Sequence, residues 1–250
     1  MSLSSEFHPR PLADRVAVVT GASRGIGYHA ALALAAAGAH VVAVARTVGG
    51  LEELDDAIRL DGGAATLVPL DMKDSPAIDR LGAALFERWG RLDILLGNAG
   101  LLGKITPVSH IDPKVWDDVM AVNLTANWRL IRSLEPLLRA SDAGRALFIT
   151  SGVARSHRPY WGTYAISKAA LEAMVRIWAG ELRQTSVRAN LLNPGPLRTH
   201  MRAQAMPGED PETLASPDAV AADIVRMLSP AFDETGTVFD FPTRTTLALG

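Results

Sequence analysis

The sequence predicts an α/β fold, a single domain built on a doubly wound parallel sheet of about seven strands with helices on both faces. Three observations predict it. Short apolar runs alternate with helix-length segments from Val16 almost to the end of the 250 residues. Several runs are continuous rather than alternating apolar and polar, as strands buried on both faces require. The first run passes directly into a glycine-rich turn that opens a helical pattern.

In chain order, the strand candidates are 16–20, 41–45, 65–70, 92–96, 146–150, 187–192 and 238–241. The helix candidates are 25–37, 50–60, 75–89, 112–139, 163–184 and 217–228. Repeated strand–helix units give parallel neighbours through right-handed crossovers. Residues 24–46 carry no charge between Arg24 and Arg46, which approaches the length of a membrane span. The stretch is mostly Ala and contains His29, Gly38 and His40, so it reads as a buried helix stopping at Gly38 and running into a buried strand. No repeat or long linker divides residues 1–250. Residues 1–13 read as an N-terminal tail, and 1–5 lack the basic and apolar regions of a secretory signal. Pro194, Pro196, Pro207, Pro211 and Pro217 mark 195–216 as irregular, and a long irregular stretch in a compact domain suggests a mobile substrate loop.

Composition excludes several functions. Hydrophobic residues make up 48% and charged residues 21%, enough for a sizeable core. The net charge of -2, without a Lys/Arg cluster, argues against nucleic acid as a partner. With no cysteine there is no disulfide, iron–sulfur cluster or thiol catalysis, and a reducing, cytoplasmic compartment accords with that. No His pair has metal-ligand spacing, so no metal is expected.

The turn after the first strand reads Thr20-Gly21-Ala22-Ser23-Arg24-Gly25-Ile26-Gly27. Small residues let the backbone approach a diphosphate, and a helix N-terminus offers unpaired N–H groups and a favourable dipole. Position between strand one and a helix makes this a Rossmann-type dinucleotide loop. The same residues match G-x-S-x-G, the nucleophile elbow of a hydrolase, but no strands precede Ser23 to build an oxyanion loop. NAD sites usually place an acid about 20 residues past the glycines. Here no acid lies from Gly27 to Leu51, while Arg46 ends strand two and Arg24 sits in the loop. Two guanidiniums suit a 2′-phosphate, so NADP(H) is expected rather than NAD(H).

Tyr164 and Lys168 fall at i and i+4 of a helical pattern and share a face. A free tyrosine has a pKa of about 10, and a nearby ammonium favours the phenolate.

Taken together, these motifs resemble the short-chain dehydrogenase/reductase family over nearly the whole chain. The glycine turn is similar to its phosphate motif, Asn98-Ala99-Gly100 to its NAG motif, and Asn123 in Val122-Asn123-Leu124 to its helix-borne Asn. Ser151 precedes Tyr164 at the family spacing. Asn193-Pro194-Gly195, then Leu197 and Thr199, resemble the segment gripping the nicotinamide, and Asp71-Met72 the adenine contact. Asn98–Gly103, Trp116–Met120, 161–164 and 199–217 resemble the YciK-like bacterial branch.

The resemblance implies roles. Tyr164 is the expected acid/base toward a small carbonyl or alcohol substrate. Lys168 lowers its pKa and bonds the nicotinamide ribose. Ser151 orients the carbonyl, and Asn123 holds a water linking Lys168 to solvent. The C-terminus departs from the pattern, since Asp240 leads into Phe241-Pro242-Thr243-Arg244 instead of Gly-Gly. Residues 165–182 are apolar nearly all round, so a second subunit is expected to cover one side, giving a homodimer or tetramer. The alternative is a dinucleotide-binding scaffold without chemistry; such proteins typically lack the Tyr or the Lys.

Overall fold

The computed structural model describes residues 10–247. Residues 1–5, read above for a secretory signal, and most of the 1–13 tail lie outside the described residues. One sheet runs in the order β3-β2-β1-β4-β5-β6-β7-β8. Its strands are β1 (Val16–Thr20), β2 (His40–Ala45), β3 (Ala65–Pro69), β4 (Ile94–Gly97), β5 (Arg145–Ile149), β6 (Arg188–Asn193), β7 (Val238–Asp240) and β8 (Thr245–Leu247). The first seven are parallel and coincide with the seven apolar runs. The expected parallel sheet of about seven strands is extended by an eighth, β8, which turns back antiparallel on β7. Its three residues are exposed and carry no apolar pattern to announce a strand.

Continuous apolar strands have a simple cause here, since alternate residues feed two separate cores. Ala17 and Val19 of β1 pack with Leu34 of α1 (Gly25–Ala36), Leu54 of α2 (Val48–Leu60) and Ile224 of α9 (Ala221–Leu228). Val16 and Val18 enter the other core, with Leu85 of α3 (Ser75–Trp89), Leu134 of α5 (Ala126–Arg139) and Val175 of α7 (Gly162–Glu181). Each fully buried Leu or Val contributes about 1.5–3 kcal/mol relative to exposure. Helix starts follow their capping residues. Asp74 accepts from Ala77 N at 3.0 Å to begin α3, and Asp112 accepts from Lys114 N at 2.8 Å to begin α4 (Pro113–Met120). Gly38, at φ +104, makes the turn between α1 and β2. Among the described residues no helix is long and apolar enough to cross a membrane.

Two short helices add to the predicted set, α6 (Val153–Ser156) and α8 (His200–Ala205). The second corrects the reading of 195–216 as irregular. That segment holds α8 and a 3-10 turn at Pro211–Thr213, and its ends are joined where Arg198 N donates to Ala215 O at 2.8 Å. The long helix predicted at 112–139 is α4 and α5 joined by a π-helical turn, Ala121–Thr125, with Asn123 at its centre. Such turns often mark functional sites.

Strand order reverses between β1 and β4, and a crevice opens beyond the carboxyl ends of strands at such a switch point. The opposite end is closed by Asp93, fully buried, which accepts from Val16 N at 2.9 Å and Ser141 Oγ at 2.6 Å and pairs with Arg15 and Arg91.

Candidate active site

The glycine turn is shaped by what it packs against. Gly21 (φ +66) and Gly25 (φ +58) occupy the left-handed region, where a side chain is strained. A Cβ on Gly21 would stand 2.9 Å from Asn98 Nδ2, and one on Gly27 would collide with that same nitrogen and with Gly21 O. Asn98 and Thr20 lock this contact: Asn98 Nδ2 donates to Thr20 O at 2.9 Å, while Thr20 Oγ1 accepts from Asn98 N and Ala99 N at 3.0 and 3.1 Å. The two motifs, almost 80 residues apart, are thus one hydrogen-bonded unit. At the start of α1 neither a capping side chain nor a first-turn acid satisfies the N–H groups, which leaves them for a ligand.

A cleft of about 940 Å³ extends from this turn. Gly21, Ser23, Arg24, Gly25, Ile26, Arg46, Asp71, Met72, Asn98, Ala99 and Gly100 line one part, and Ser151, Tyr164, Lys168, Pro194, Gly195, Leu197 and Thr199 line the rest. Gly27 and Asn123 are buried behind the wall. Arg24 and Arg46 are exposed, and Arg46 approaches Asp71 only loosely, at 3.8 Å. Asp71, expected at the adenine, therefore also faces the guanidinium.

Tyr164 and Lys168 stand one turn apart on α7, with Nζ 5.8 Å from the phenol ring centre. Lys168 Nζ donates to Ile149 O at 2.7 Å, at the end of β5 and two residues before Ser151. Burial pushes Tyr164 up to about 12, against a hydrogen bond with Ser151 that acts downward. Burial also pulls Lys168 down to about 8, and Glu172 acts upward. Burial is thus the largest influence on the phenol, and Ser151 is the one opposing it.

The Asn123 amide is held by three hydrogen bonds. Its Oδ1 accepts from Leu101 N at 2.8 Å, and its Nδ2 donates to Leu101 O and Ser167 Oγ, each at 2.9 Å. Both N–H donors are engaged, so the side chain anchors the π-helical turn to the segment after Gly100.

Sequence reasoning missed Glu172. Its buried carboxylate accepts from Thr150 Oγ1 at 2.8 Å and from Arg155 Nε at 3.1 Å, and lies 3.5 Å from Arg176. The signal available was a lone acid one turn past Lys168 in an apolar helix. Trp161 and His200, left unassigned, do line the cleft. Among the described residues no group of acids and histidines is placed to hold a metal.

The chain belongs to the short-chain dehydrogenase/reductase family, for the family model of short chain dehydrogenase matches residues 15–210. It is accordingly an oxidoreductase, and the hydrolase reading of Ser23 falls away. The chain is similar to the oxidoreductase YciK of Escherichia coli K12, 40% identical over 233 residues that cover 92% of each. A short chain dehydrogenase of Shigella flexneri 2a, solved in complex with NADP, superposes with a TM-score of 0.90 at 38% identity, over 94% of this chain and 100% of that one. Another from E. coli CFT073, complexed with NADPH, gives 0.88 at 39% identity over 94% and 99%.

Proposed function

We propose that this protein is an NADP(H)-dependent oxidoreductase that moves a hydride between the nicotinamide and a carbonyl or alcohol carbon, with Tyr164 as general acid/base. The observation that carries this reading is the meeting of Ser151, Tyr164 and Lys168 on the wall of the cleft that begins at the glycine turn. The turn fits a dinucleotide, having no room for a Cβ at Gly21 or Gly27 and an uncapped helix end. Arg24 and Arg46 fit a 2′-phosphate, and the relatives solved with NADP and NADPH support the same choice. Met72, Leu197 and Thr199 supply the remaining cofactor contacts. The cofactor, when bound, supplies or accepts the hydride.

During reduction Tyr164 gives its proton to the carbonyl oxygen, and the Ser151 hydroxyl donates to that oxygen as negative charge develops. A phenol held up to about 12 stays protonated at neutral pH and is ready as an acid. Lys168 offsets the charge left on the phenolate and is held in place by Ile149 O. Asn123 fixes the helix turn behind both.

The test is NADPH and NADH oxidation against aldehydes, ketones and diones, with Tyr164→Phe beside wild type and cofactor binding measured for each. Turnover should use NADPH and fall about 10²-fold or more in the variant, with binding retained. Binding without turnover, unchanged by the substitution, would instead identify a scaffold.

The same reading makes the enzyme cytoplasmic and homo-oligomeric. Trp128 on α5 and Ile166 and Ile177 on α7 leave apolar surface uncovered, with Ile177 65% exposed. A monomeric mass by light scattering at micromolar concentration would reject the oligomer.

A further inference from the structure

We propose that Arg158 binds an anionic group on the substrate, so that the preferred carbonyl compounds carry a carboxylate or a phosphate. The inference rests on the reading of the cleft as a carbonyl-reducing site and adds the substrate class. It begins with the charges. Beyond Tyr164, the guanidiniums of Arg158, Arg198 and Arg202 line the cleft. Arg198 is neutralised by Glu212 at 2.7 Å, and Arg202 by both oxygens of Glu209, at 2.5 and 2.6 Å. Among the described residues Arg158 has no carboxylate within 4.0 Å. Asp240, the acid lining this part, is occupied by Asn193 Nδ2 at 2.6 Å and Thr243 Oγ1 at 2.6 Å. An exposed, unpaired cation thus stands at the substrate end of a protein whose net charge is negative.

The backbone holds Arg158 there. It lies between His157 (φ 49) and Tyr160 (φ 73), two non-glycine residues in the left-handed region. Such conformations persist only where surrounding structure enforces them, and they cluster at ligand sites. The enforcement is visible: Thr106 N donates to Tyr160 O at 2.9 Å, and Trp161 N to Arg158 O at 3.4 Å. The guanidinium lies 5.7 Å from the Trp161 ring centre, and that ring lies 6.3 Å from Tyr164. The indole thus neighbours both the cation and the phenol. A guanidinium resting on an aromatic ring keeps its N–H fork free for an oxyanion. The spacing suits an anion several bonds from the carbonyl.

The probes are 4-formylbenzoate, 4-formylphenyl phosphate and uncharged methyl 4-formylbenzoate, each with NADPH. Wild type should favour at least one charged aldehyde by about tenfold or more in kcat/KM, as one charge-assisted contact allows. Which of the two wins distinguishes carboxylate from phosphate. Arg158→Gln should abolish the preference through KM, with turnover of the ester and the Kd for NADPH unchanged. Arg158→Lys should keep part of it. Calorimetric titration of each charged aldehyde into the NADP⁺-saturated protein reads the same contact without turnover, and Arg158→Gln should weaken it. Equal efficiency on charged and uncharged aldehydes, or equal loss on both in Arg158→Gln, would overturn the proposal, as would an unchanged titration. Tyr164→Phe should retain the binding preference while losing turnover. If it keeps turnover, the acid/base reading fails and the Arg158 contact stands by itself.

Discussion

Lys168 and Glu172 lie one turn apart on α7, each 3% exposed, and the carboxylate opposes the effect of burial on the ammonium. Glu172 also receives Thr150, the residue before Ser151, and Arg155, on the helix after it. One buried acid therefore ties the charge on α7 to the strand end that leads into Ser151.

The pH dependence of the reaction follows from this pair. Burial lowers Lys168 to about 8, so the ammonium is present below that pH and lost as pH rises through it. A reaction that needs the ammonium beside Tyr164 should lose kcat/KM along the same limb, while Tyr164, held up to about 12, remains protonated throughout. Glu172→Gln removes the one influence that raises Lys168, so its limb should begin at lower pH than that of wild type. Superimposable profiles would show that Glu172 acts on packing alone.

Cofactor choice should respond to Arg46. Its side chain is 55% exposed and its only ion-pair partner is Asp71, at the loose distance of 3.8 Å among the described residues. Charge-assisted hydrogen bonds to a phosphate contribute about 1.5–3 kcal/mol. Arg46→Ala should therefore raise KM for NADPH by about ten- to a hundredfold and leave KM for NADH nearly unchanged. Equal weakening of both cofactors would place Arg46 away from the 2′-phosphate.

The parallel framework was legible because strands buried on both sides leave an unbroken apolar record, as β1 does from Val16 to Thr20. β8 was not, because Thr245–Leu247 is exposed and lacks that record. Helices α6 and α8, of four and six residues, are too short for a 3.6-residue period to show. Motif spacing pointed to residues that the fold brings together on one cleft. Their energetics were not legible, since the burial of Tyr164 depends on chain segments far away in sequence. The commitment of Asn123 to Leu101 likewise arises from a π-helical turn, which is a backbone event without a residue signature. Arg158 belongs to no motif at all, and only its missing partner marks it.

Stability should depend on the end of the sheet opposite the cleft. Asp93 is fully buried and serves Val16 N, Ser141 Oγ, Arg15 and Arg91 together. Asp93→Ala leaves the buried Val16 N–H and the Ser141 hydroxyl without their acceptor, at about 1–3 kcal/mol for each group left unsatisfied, while Arg15 keeps Asp142 and Arg91 keeps Asp14 O. At this chain length that lowers Tm by about 2–4 °C for each kcal/mol lost in calorimetry. Turnover per folded molecule should hold, because Asp93 immediately precedes β4 while the cleft lies beyond the strand's far end. A Tm within about 2 °C of wild type would mean that water takes over the acceptor's role.

Two glycine substitutions should separate geometry from composition. Gly27 lies under the phosphate turn, where a Cβ would collide with Gly21 O and Asn98 Nδ2. Neither can yield cheaply, since Gly21 O is backbone and Asn98 Nδ2 is bonded to Thr20 O. Gly49, in the first turn of α2, has nothing within 4 Å of where a Cβ would stand and no positive φ. Gly27→Ala should weaken NADPH binding by about tenfold or more, because the turn must open before it can approach a diphosphate. Gly49→Ala should leave binding intact and add about 0.4–1 kcal/mol of stability by restricting the unfolded chain. Paired titrations of NADPH into both variants decide the matter: if Gly27→Ala binds as tightly as Gly49→Ala, the close approach at this turn is not what holds the diphosphate.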